Sequence, residues 1–254
     1  MKRIFKSLQA FVVSFYYLIL RNILISPIKT GKEIPIIINN FNRLTTMLQL
    51  IEALTDRGYN NIYIIDNKST YPPLLAYYEK CPFTVFRLNE NLGYKALWKS
   101  ELKKRFCKDY YIYTDSDVVP TTYCPDDFID YFLKELKKHP FARKIGFSLR
   151  IDNIPDTYIH KDKVIDWEGK YYQRLTPDGL YRAPIDTTFA LYRPFSGLSR
   201  SRYIEAYRTA YPYQAEHLPW YMDSKQLSEE ETYYINHSKQ ATAWTSQLQE
   251  KTEG

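Results

Sequence analysis

The chain has 254 residues, of which 44% are hydrophobic and 25% charged, a balance typical of one globular domain of catalytic size. Its formal charge is +6, and six cations precede the first acidic residue, Glu33: Lys2, Arg3, Lys6, Arg21, Lys29 and Lys32. The remainder is formally neutral, so the basic face of a nucleic-acid-binding domain is not expected. The three cysteines, Cys81, Cys107 and Cys124, show no CxxC spacing, which argues against a disulfide framework and favours a reducing compartment.

The first 32 residues form a basic, aromatic leader. On a helix, its apolar side chains share one side: Ile4, Phe5, Leu8, Phe11, Val12, Phe15 and Ile19. This pattern favours a helix in the membrane interface, attracted by anionic lipid, and we predict peripheral attachment to the cytoplasmic face of a membrane through residues 1–30. A single-span signal anchor remains an alternative, although Arg21 cuts the apolar run well below the roughly 20 residues that a span needs. A cleaved signal peptide and a helix packed on its own domain also remain open.

Strand and helix patterns alternate after the leader. In chain order they are the strand Ile34 to Ile38, the helix TTMLQLIEALT before Gly58, the strand NIYIID ending in Asp66, the helix PPLLAYY, the strand FTVFRL, the loop and helix NLGYKALWKSELKKRF, and the strand DYYIYTD. This order predicts an α/β fold with a parallel, doubly wound sheet. Ligands in such sheets bind beyond the carboxyl ends of the strands.

The second half is less regular. It contains a helix in PDDFIDYFLKELKKHP, a strand in KIGFSLRIDNIP, an alternating strand in YRAPIDTTFALYRP, an aromatic loop in YPYQAEHLPWYMD, and a helix or turn in EEETYYINHSK. We therefore divide the chain into a leader (1–32), one domain (33–245) and a polar tail (246–254).

Two carboxylates follow the last strand of the first half, in YYIYTDSDVVP. Residues at i and i+2 of an extended chain point the same way, so Asp115 and Asp117 are expected to project together. Adjacent carboxylates repel unless a cation lies between them. Mg²⁺ and Mn²⁺ are commonly held by one or two carboxylates together with substrate phosphates. The pair therefore predicts a site for Mn²⁺ or Mg²⁺ with a diphosphate.

The segments IPIIINNFNRL, IYIIDNKST, NLGYKALW and YYIYTDSDVVP, in that order, resemble the family-two-like glycosyltransferases of the GT-A fold, which has a Rossmann-like, mostly parallel sheet flanked by helices. The resemblance implies a nucleotide-sugar half (33–120) and an acceptor half (121–245). It also implies donor-binding residues: Asn39, Asn40, Asn42, Asp66, Asn91 and Gly93. Asp115 and Asp117 would hold the metal against the diphosphate. The implied reaction is inverting transfer of a sugar to a saccharide or lipid-linked acceptor, in surface polysaccharide or glycan assembly.

Such a reaction needs a general base on the acceptor side. Asp223, which follows Trp220 and Tyr221, is favoured slightly over Asp186, and Glu229 to Glu231 are further candidates. Asp186 is expected inside an apolar strand, where an unpaired acid is costly.

The resemblance also implies a late metal-binding histidine. His237 is the first choice and His217 the rival. Two other functions remain: a catalytically inactive binding protein of this fold and a nucleotidyltransferase. The absence of glycine from NNFNRL disfavours the latter.

Overall fold

The computed structural model describes residues 15, 30–186, 188–196 and 205–238. Of the predicted leader (1–32), Phe15 and residues 30–32 are described, and the predicted polar tail lies outside the described residues. Within the described part of the chain, no helix is both long and apolar enough to cross a membrane.

The strands and helices of the first half lie close to their predicted positions. The strands are β1 (Ile36–Asn40), β2 (Ile62–Asp66), β3 (Thr84–Arg87), β4 (Tyr111–Asp115) and β5 (Val118–Pro120). The helices are α1 (Thr45–Thr55), α2 (Pro72–Tyr78), α3 (Ala96–Lys99) and α4 (Leu102–Phe106). Gly58 ends the first helical segment with a φ of 77°, a conformation that glycine adopts without strain.

The second half contains more strands than its sequence pattern predicts. They are β6 (Ala142–Gly146), β7 (Ser148–Leu149), β8 (Leu180–Arg182), β9 (Ala190–Tyr192), β10 (Glu205–Thr209) and β11 (Gln214–His217). The helices are α5 (Phe128–Lys138), α6 (Lys161–Gly169) and α7 (Glu229–His237).

One large sheet has the strand order β3-β2-β1-β4-β9-β6-β10-β8. Strands β1 to β4 of the first half are mutually parallel, as predicted. The second half departs from the prediction, because β9 is antiparallel to β4 and β6, and β8 is antiparallel to β10. The fold is therefore α/β with a mostly parallel, mixed central sheet.

Alternate side chains of each central strand pack on opposite faces of this sheet. On β1, Ile36 and Ile38 join the larger apolar core with α1 and α5, whereas Ile37 packs in a second core with Trp98 and Tyr111. All three isoleucines are buried. Each contributes roughly 1.5–3 kcal/mol by removal from water. Because both faces are covered, β1 consists of a continuous apolar run that becomes polar only at its carboxyl end.

The strand order changes direction between β1 and β4. From β1 the chain continues outward to β2 and β3, and then returns to the other side of β1 with β4. Asn39 of β1 is directly paired with Asp115 of β4, and Asn40 with Asp66 of β2. A crevice at such a switch point is where open α/β sheets bind their ligands.

A small second sheet, of order β5-β11-β7, covers the turn after β4. β11 lies in the segment predicted to be an aromatic loop, so that prediction is wrong for Gln214–His217. β11 pairs antiparallel with β5, and Leu218 N donates a hydrogen bond of 2.9 Å to Asp117 O. A strand of the second half therefore runs beside the predicted metal-binding turn.

The segment around Asp186 also differs from the prediction. The single strand expected in YRAPIDTTFALYRP is divided into β8 and β9, and Asp186 lies exposed between them. The prolines Pro184 and Pro194 flank this region, and Pro184 cannot donate to a strand ladder. Asp186 therefore avoids the cost of burial that the strand prediction implied.

Candidate active site

The two predicted metal-binding acids lie in the turn that joins β4 to β5. Asp115 is the last residue of β4 and half-buried, while Asp117 is 9% exposed. Asn39 Nδ2 donates a 3.4 Å hydrogen bond to Asp115 Oδ1. The turn thus places both carboxylates at the switch point of the sheet.

A buried arginine neutralises Asp117. Arg43, in the loop after β1, donates to Asp117 Oδ2 and, over 3.0 Å, to Glu231 Oε2 of α7. Its guanidinium also lies 3.9 Å from the ring centroid of Tyr234. Burial alone would lower the pKa of Arg43, but Glu231 and Asp117 raise it above its usual value, so the arginine is charged. Burial raises the pKa of Glu231 despite this partner.

The last helix is fixed to the site by two consecutive acids. Glu231 binds Arg43, and Glu230 accepts hydrogen bonds of 3.0 Å from the backbone nitrogen and the hydroxyl of Thr45. Thr45 is the first residue of α1, where backbone N–H groups lack helical partners and negative charge is favourable. Glu230 of α7 therefore caps the amino end of α1.

Of the two candidate histidines, His217 lies beside the acids. Its Nε2 is 3.6 Å from Asp117 Oδ2. Burial lowers the pKa of His217 although Asp117 opposes this change, so the imidazole is neutral, the form that binds metals. His237 is exposed on the last turn of α7, where its Nδ1 donates over 2.8 Å to Tyr233 O and its ring stacks on Tyr233.

The residues at the turn have the chemistry of a divalent-cation site. Asp117 Oδ1 is buried and has no hydrogen-bond partner among the described residues. Such an oxygen favours a cation, and hard cations such as Mg²⁺ and Mn²⁺ prefer carboxylate oxygens. Asp115, Asp117 and His217 therefore offer suitable donor atoms, although these atoms do not all lie within 4.8 Å of one another, and Arg43 is a fixed cation on Asp117 Oδ2, the oxygen that His217 approaches.

A chain of amides connects the acids to the predicted donor loop. Asn67 Nδ2 donates over 2.5 Å to Asn39 Oδ1, and Leu92 N donates over 3.1 Å to Asn67 Oδ1. Asn91 is exposed, and its Oδ1 accepts a 2.8 Å hydrogen bond from Gly93 N. A Cβ at Gly93 would meet no described atom within 4 Å, and the residue has a φ of 67°. The side-chain position of Gly93 in the loop 91–93 therefore faces open space.

The remaining predicted donor residues mostly hold the loops in place. Asn40 is buried, and its Nδ2 donates over 3.0 Å to Tyr78 Oη. Asn42 has a φ of 53°, and its Oδ1 accepts hydrogen bonds from Thr70 N and Tyr71 N at 2.7 and 3.0 Å. These contacts join the loop after β1 to the loop after β2.

Asp66 is completely buried at the end of β2. Its Oδ1 accepts a 3.1 Å hydrogen bond from Ser69 N, and Arg87 Nε lies 3.5 Å from Oδ2. The carboxylate therefore supports the turn after β2, and contact with a nucleoside would require this turn to open.

No protein-family model matches the sequence, and no curated protein matches it either. Solved structures do match, among them a mannosyltransferase, PcManGT from Pyrobaculum calidifontis in complex with GDP-Man and Mn²⁺. That structure is 13% identical, with coverage of 96% of this chain and 78% of the other and a TM-score of 0.49. A likeness at this level assigns no activity, and the function of this chain depends on its own site residues.

The two candidate general bases have different surroundings. Asp223 is half-buried, and its Oδ1 accepts a 2.8 Å hydrogen bond from Lys225 N within a local turn. Asp186 influences the same two side chains as Asp115, because both carboxylates act electrostatically on Lys144 and Tyr192. Lys144 Nζ also donates over 2.8 Å to Asp186 O. Of the two candidate bases, Asp186 is therefore the one that shares these neighbouring side chains with Asp115. Trp220, which precedes Asp223 in the chain, is buried beside His217.

Arg43 and Tyr234 are parts of the site that sequence reasoning did not single out, and Glu230 and Glu231, named there as candidate bases, instead bind Thr45 and Arg43. Arg43 follows the polar loop of β1, and the Glu-rich start of α7 is visible in the sequence as SEEETYY. A charged residue is usually exposed, so local sequence gave no reason to pair Arg43 with a helix 188 residues away.

Proposed function

We propose that this protein is a metal-dependent glycosyltransferase that transfers a sugar from a nucleoside-diphosphate sugar to a saccharide or lipid-linked acceptor. The observation that carries the proposal is the placement of Asp115 and Asp117 at the switch point of the sheet, in register with Asn39 and with an unpartnered buried oxygen on Asp117. This arrangement suits a diphosphate and its cation better than it suits an apolar core.

The residues of this chain have separate roles in the proposed reaction. Asp115, Asp117 and His217 would hold the ion, which as a Lewis acid stabilises the charge that develops on the leaving diphosphate. Asn39 orients Asp115 through its 3.4 Å hydrogen bond. Arg43 is fixed on Oδ2 of Asp117, and it holds that carboxylate in position.

The acceptor hydroxyl must lose its proton to a base as the sugar is transferred. We assign this role to Asp186, which is exposed and shares its electrostatic neighbours with Asp115. Inversion at the anomeric carbon and assembly of a surface glycan belong to the same proposal, as does attachment to a membrane through residues 1–30.

Hydrolysis of a panel of nucleoside-diphosphate sugars with Mn²⁺ tests the proposal, with the released nucleotide identified. Wild type should hydrolyse at least one donor, and Asp117→Ala should be slower by about a hundredfold or more. Glu79→Gln, at an exposed acid after α2, is the matched control and should keep wild-type activity. Equal rates for Asp117→Ala and wild type would refute the metal site. Donor binding without turnover in any acceptor mixture would indicate the inactive binding protein instead.

A further inference from the structure

A second cluster of metal-binding side chains lies near the β8 edge of the large sheet. Asp178 precedes β8, which is four strands away from β4, the strand that ends in Asp115. At this far edge, Glu135 and His139 from the end of α5 meet Asp178 from the turn before β8. One ligand atom from each of the three residues lies within 4.8 Å of the other two.

One of the three side chains is buried and the other two are partly exposed, so solvent can reach one side of the cluster. The side chain of Glu135 is 3% exposed, that of His139 19% and that of Asp178 33%. Glu135 Oε2 is buried and has no hydrogen-bond partner among the described residues. An unpartnered carboxylate oxygen in a buried position is costly, so it indicates a ligand that the protein groups do not supply.

The histidine is already oriented toward the two acids. His139 Nε2 lies 2.7 Å from Asp178 Oδ2, and its ring stacks on Tyr207 with 4.3 Å between centroids. The ring is therefore held in place before any ion arrives.

The surrounding charges are compatible with a cation. The carboxyl end of α5 contributes partial negative charge to the cluster. Two cations lie nearby: Lys138 Nζ donates over 2.6 Å to Glu135 Oε1, and Arg193 donates over 3.0 Å to His139 O. The side chain of Lys138 is 49% exposed and can move into solvent, and Arg193 contacts backbone carbonyls rather than the three ligand side chains in these bonds.

From this geometry we propose that Glu135, His139 and Asp178 bind one Zn²⁺ ion at a structural site separate from the candidate active site. One imidazole nitrogen and two carboxylate oxygens are ligands that Zn²⁺ accepts at about 2.0–2.2 Å, with a water molecule as the fourth ligand. The ion would take the position between His139 Nε2 and Asp178 Oδ2 that their hydrogen bond occupies. It would join the end of α5 to the turn before β8, the edge strand of the sheet.

Equilibrium dialysis of the full chain against Zn²⁺, with the bound metal quantified, tests the proposal. Wild type should bind one ion whose affinity falls by about a hundredfold or more in Asp178→Asn and in His139→Gln. Asp178 is partly exposed, so its variant is expected to fold even if substitution of the buried Glu135 is not tolerated. Zn²⁺ should also raise the unfolding temperature of wild type and leave that of Asp178→Asn unchanged.

Two control variants separate this site from others. Asp115→Asn removes a candidate active-site ligand, and His237→Gln removes an exposed histidine of α7. Both should keep the wild-type Zn²⁺ affinity of the second site. The proposal is wrong if Asp178→Asn binds Zn²⁺ as tightly as wild type, or if Asp115→Asn alone abolishes binding.

Discussion

Arg43 and Asp117 form a buried ion pair although 74 residues separate them in the chain. Removal of a charge from water costs several kcal/mol, so such a pair persists only when further hydrogen bonds satisfy it. Here Glu231 supplies the second carboxylate and Tyr234 an aromatic face for the guanidinium. The arginine therefore joins three parts of the candidate active site: the loop after β1, the turn after β4, and α7.

Substitution of Arg43 by methionine should destabilise the protein by about 3–5 kcal/mol, because two buried carboxylates then lack their cation. Urea unfolding at neutral pH measures this loss. Lys104→Met, which breaks the exposed pair with Glu101, is the control and should change the free energy of unfolding by less than about 1 kcal/mol. Equal stabilities for the two variants would contradict the role assigned to Arg43.

Two glycines should respond in opposite directions to alanine. A Cβ at Gly146 would lie 2.3 Å from Phe189 O and 2.7 Å from Ala190 Cβ, so Gly146→Ala should lose about 1–3 kcal/mol or more. Gly169 has helical angles and open space around its Cβ position, so Gly169→Ala should gain roughly 0.4–1 kcal/mol. Thermal unfolding of both variants checks the contrast. A stable Gly146→Ala protein would show that β6 and β9 are not in close contact.

Lys144 should make stability depend on pH. Burial lowers the pKa of its amine from 10.5 to about 7, so between these values the unfolded state binds the extra proton. Stability should therefore rise with pH across this window, by up to about 1.4 kcal/mol per pH unit. Free energies of unfolding for wild type and Lys144→Met, measured between about pH 7 and pH 9, should diverge by this slope. Lys99→Met, at an exposed lysine, should keep the wild-type dependence of stability on pH. If Lys144→Met shows the same dependence as wild type, the lowered pKa of Lys144 is refuted.

The two candidate bases can be separated by their effects on transfer. Asp186→Asn should slow sugar transfer by about 10²- to 10⁴-fold if this carboxylate accepts the proton of the acceptor, while donor affinity stays near that of wild type. Asp223→Asn should leave transfer largely intact, because its carboxylate is engaged in a local turn with Lys225. Initial rates at saturating donor measure the difference. If Asp223→Asn slows transfer more than Asp186→Asn does, Asp223 is the general base.

Deletion of residues 1–30 should release the protein from membranes. Five of the six cations before Glu33 lie within residues 1–30 and are expected to attract anionic lipid by about 1 kcal/mol each near the surface. Co-sedimentation of wild type and the deletion variant with vesicles of anionic and of neutral lipid measures this attraction. Binding of the deletion variant to anionic vesicles at the wild-type level would place the attachment elsewhere in the chain.

The central strands could be predicted from sequence because they carry their own signal. β1 and β4 are apolar runs with polar residues at the carboxyl end, since both faces of the sheet are covered by helices. Their strand-end residues, Asn39 and Asp115, consequently lie together as the parallel order predicts. Here local sequence and tertiary structure agree.

The second half could not be predicted as well because its strands depend on distant partners. In β11, with the sequence QAEH, Ala215 alone is fully buried, and the strand exists because β5 and β7 pair with it. For the same reason, the sequence favours His237 over His217 as the metal-binding histidine. The position of His217 beside Asp117 follows from the pairing of β11 with β5, which no local pattern encodes.

The contacts of Asp117 also constrain the order in which the chain can fold. Asp117 contacts Arg43 and His217, and Arg43 in turn pairs with Glu231, so a nascent chain that has reached β5 holds the acid without its contact to His217. Arg43 obtains both carboxylates only after α7 has left the ribosome. The candidate active site is therefore among the last parts of the described fold to assemble during synthesis, and premature termination before α7 would leave Arg43 with Asp117 but without Glu231.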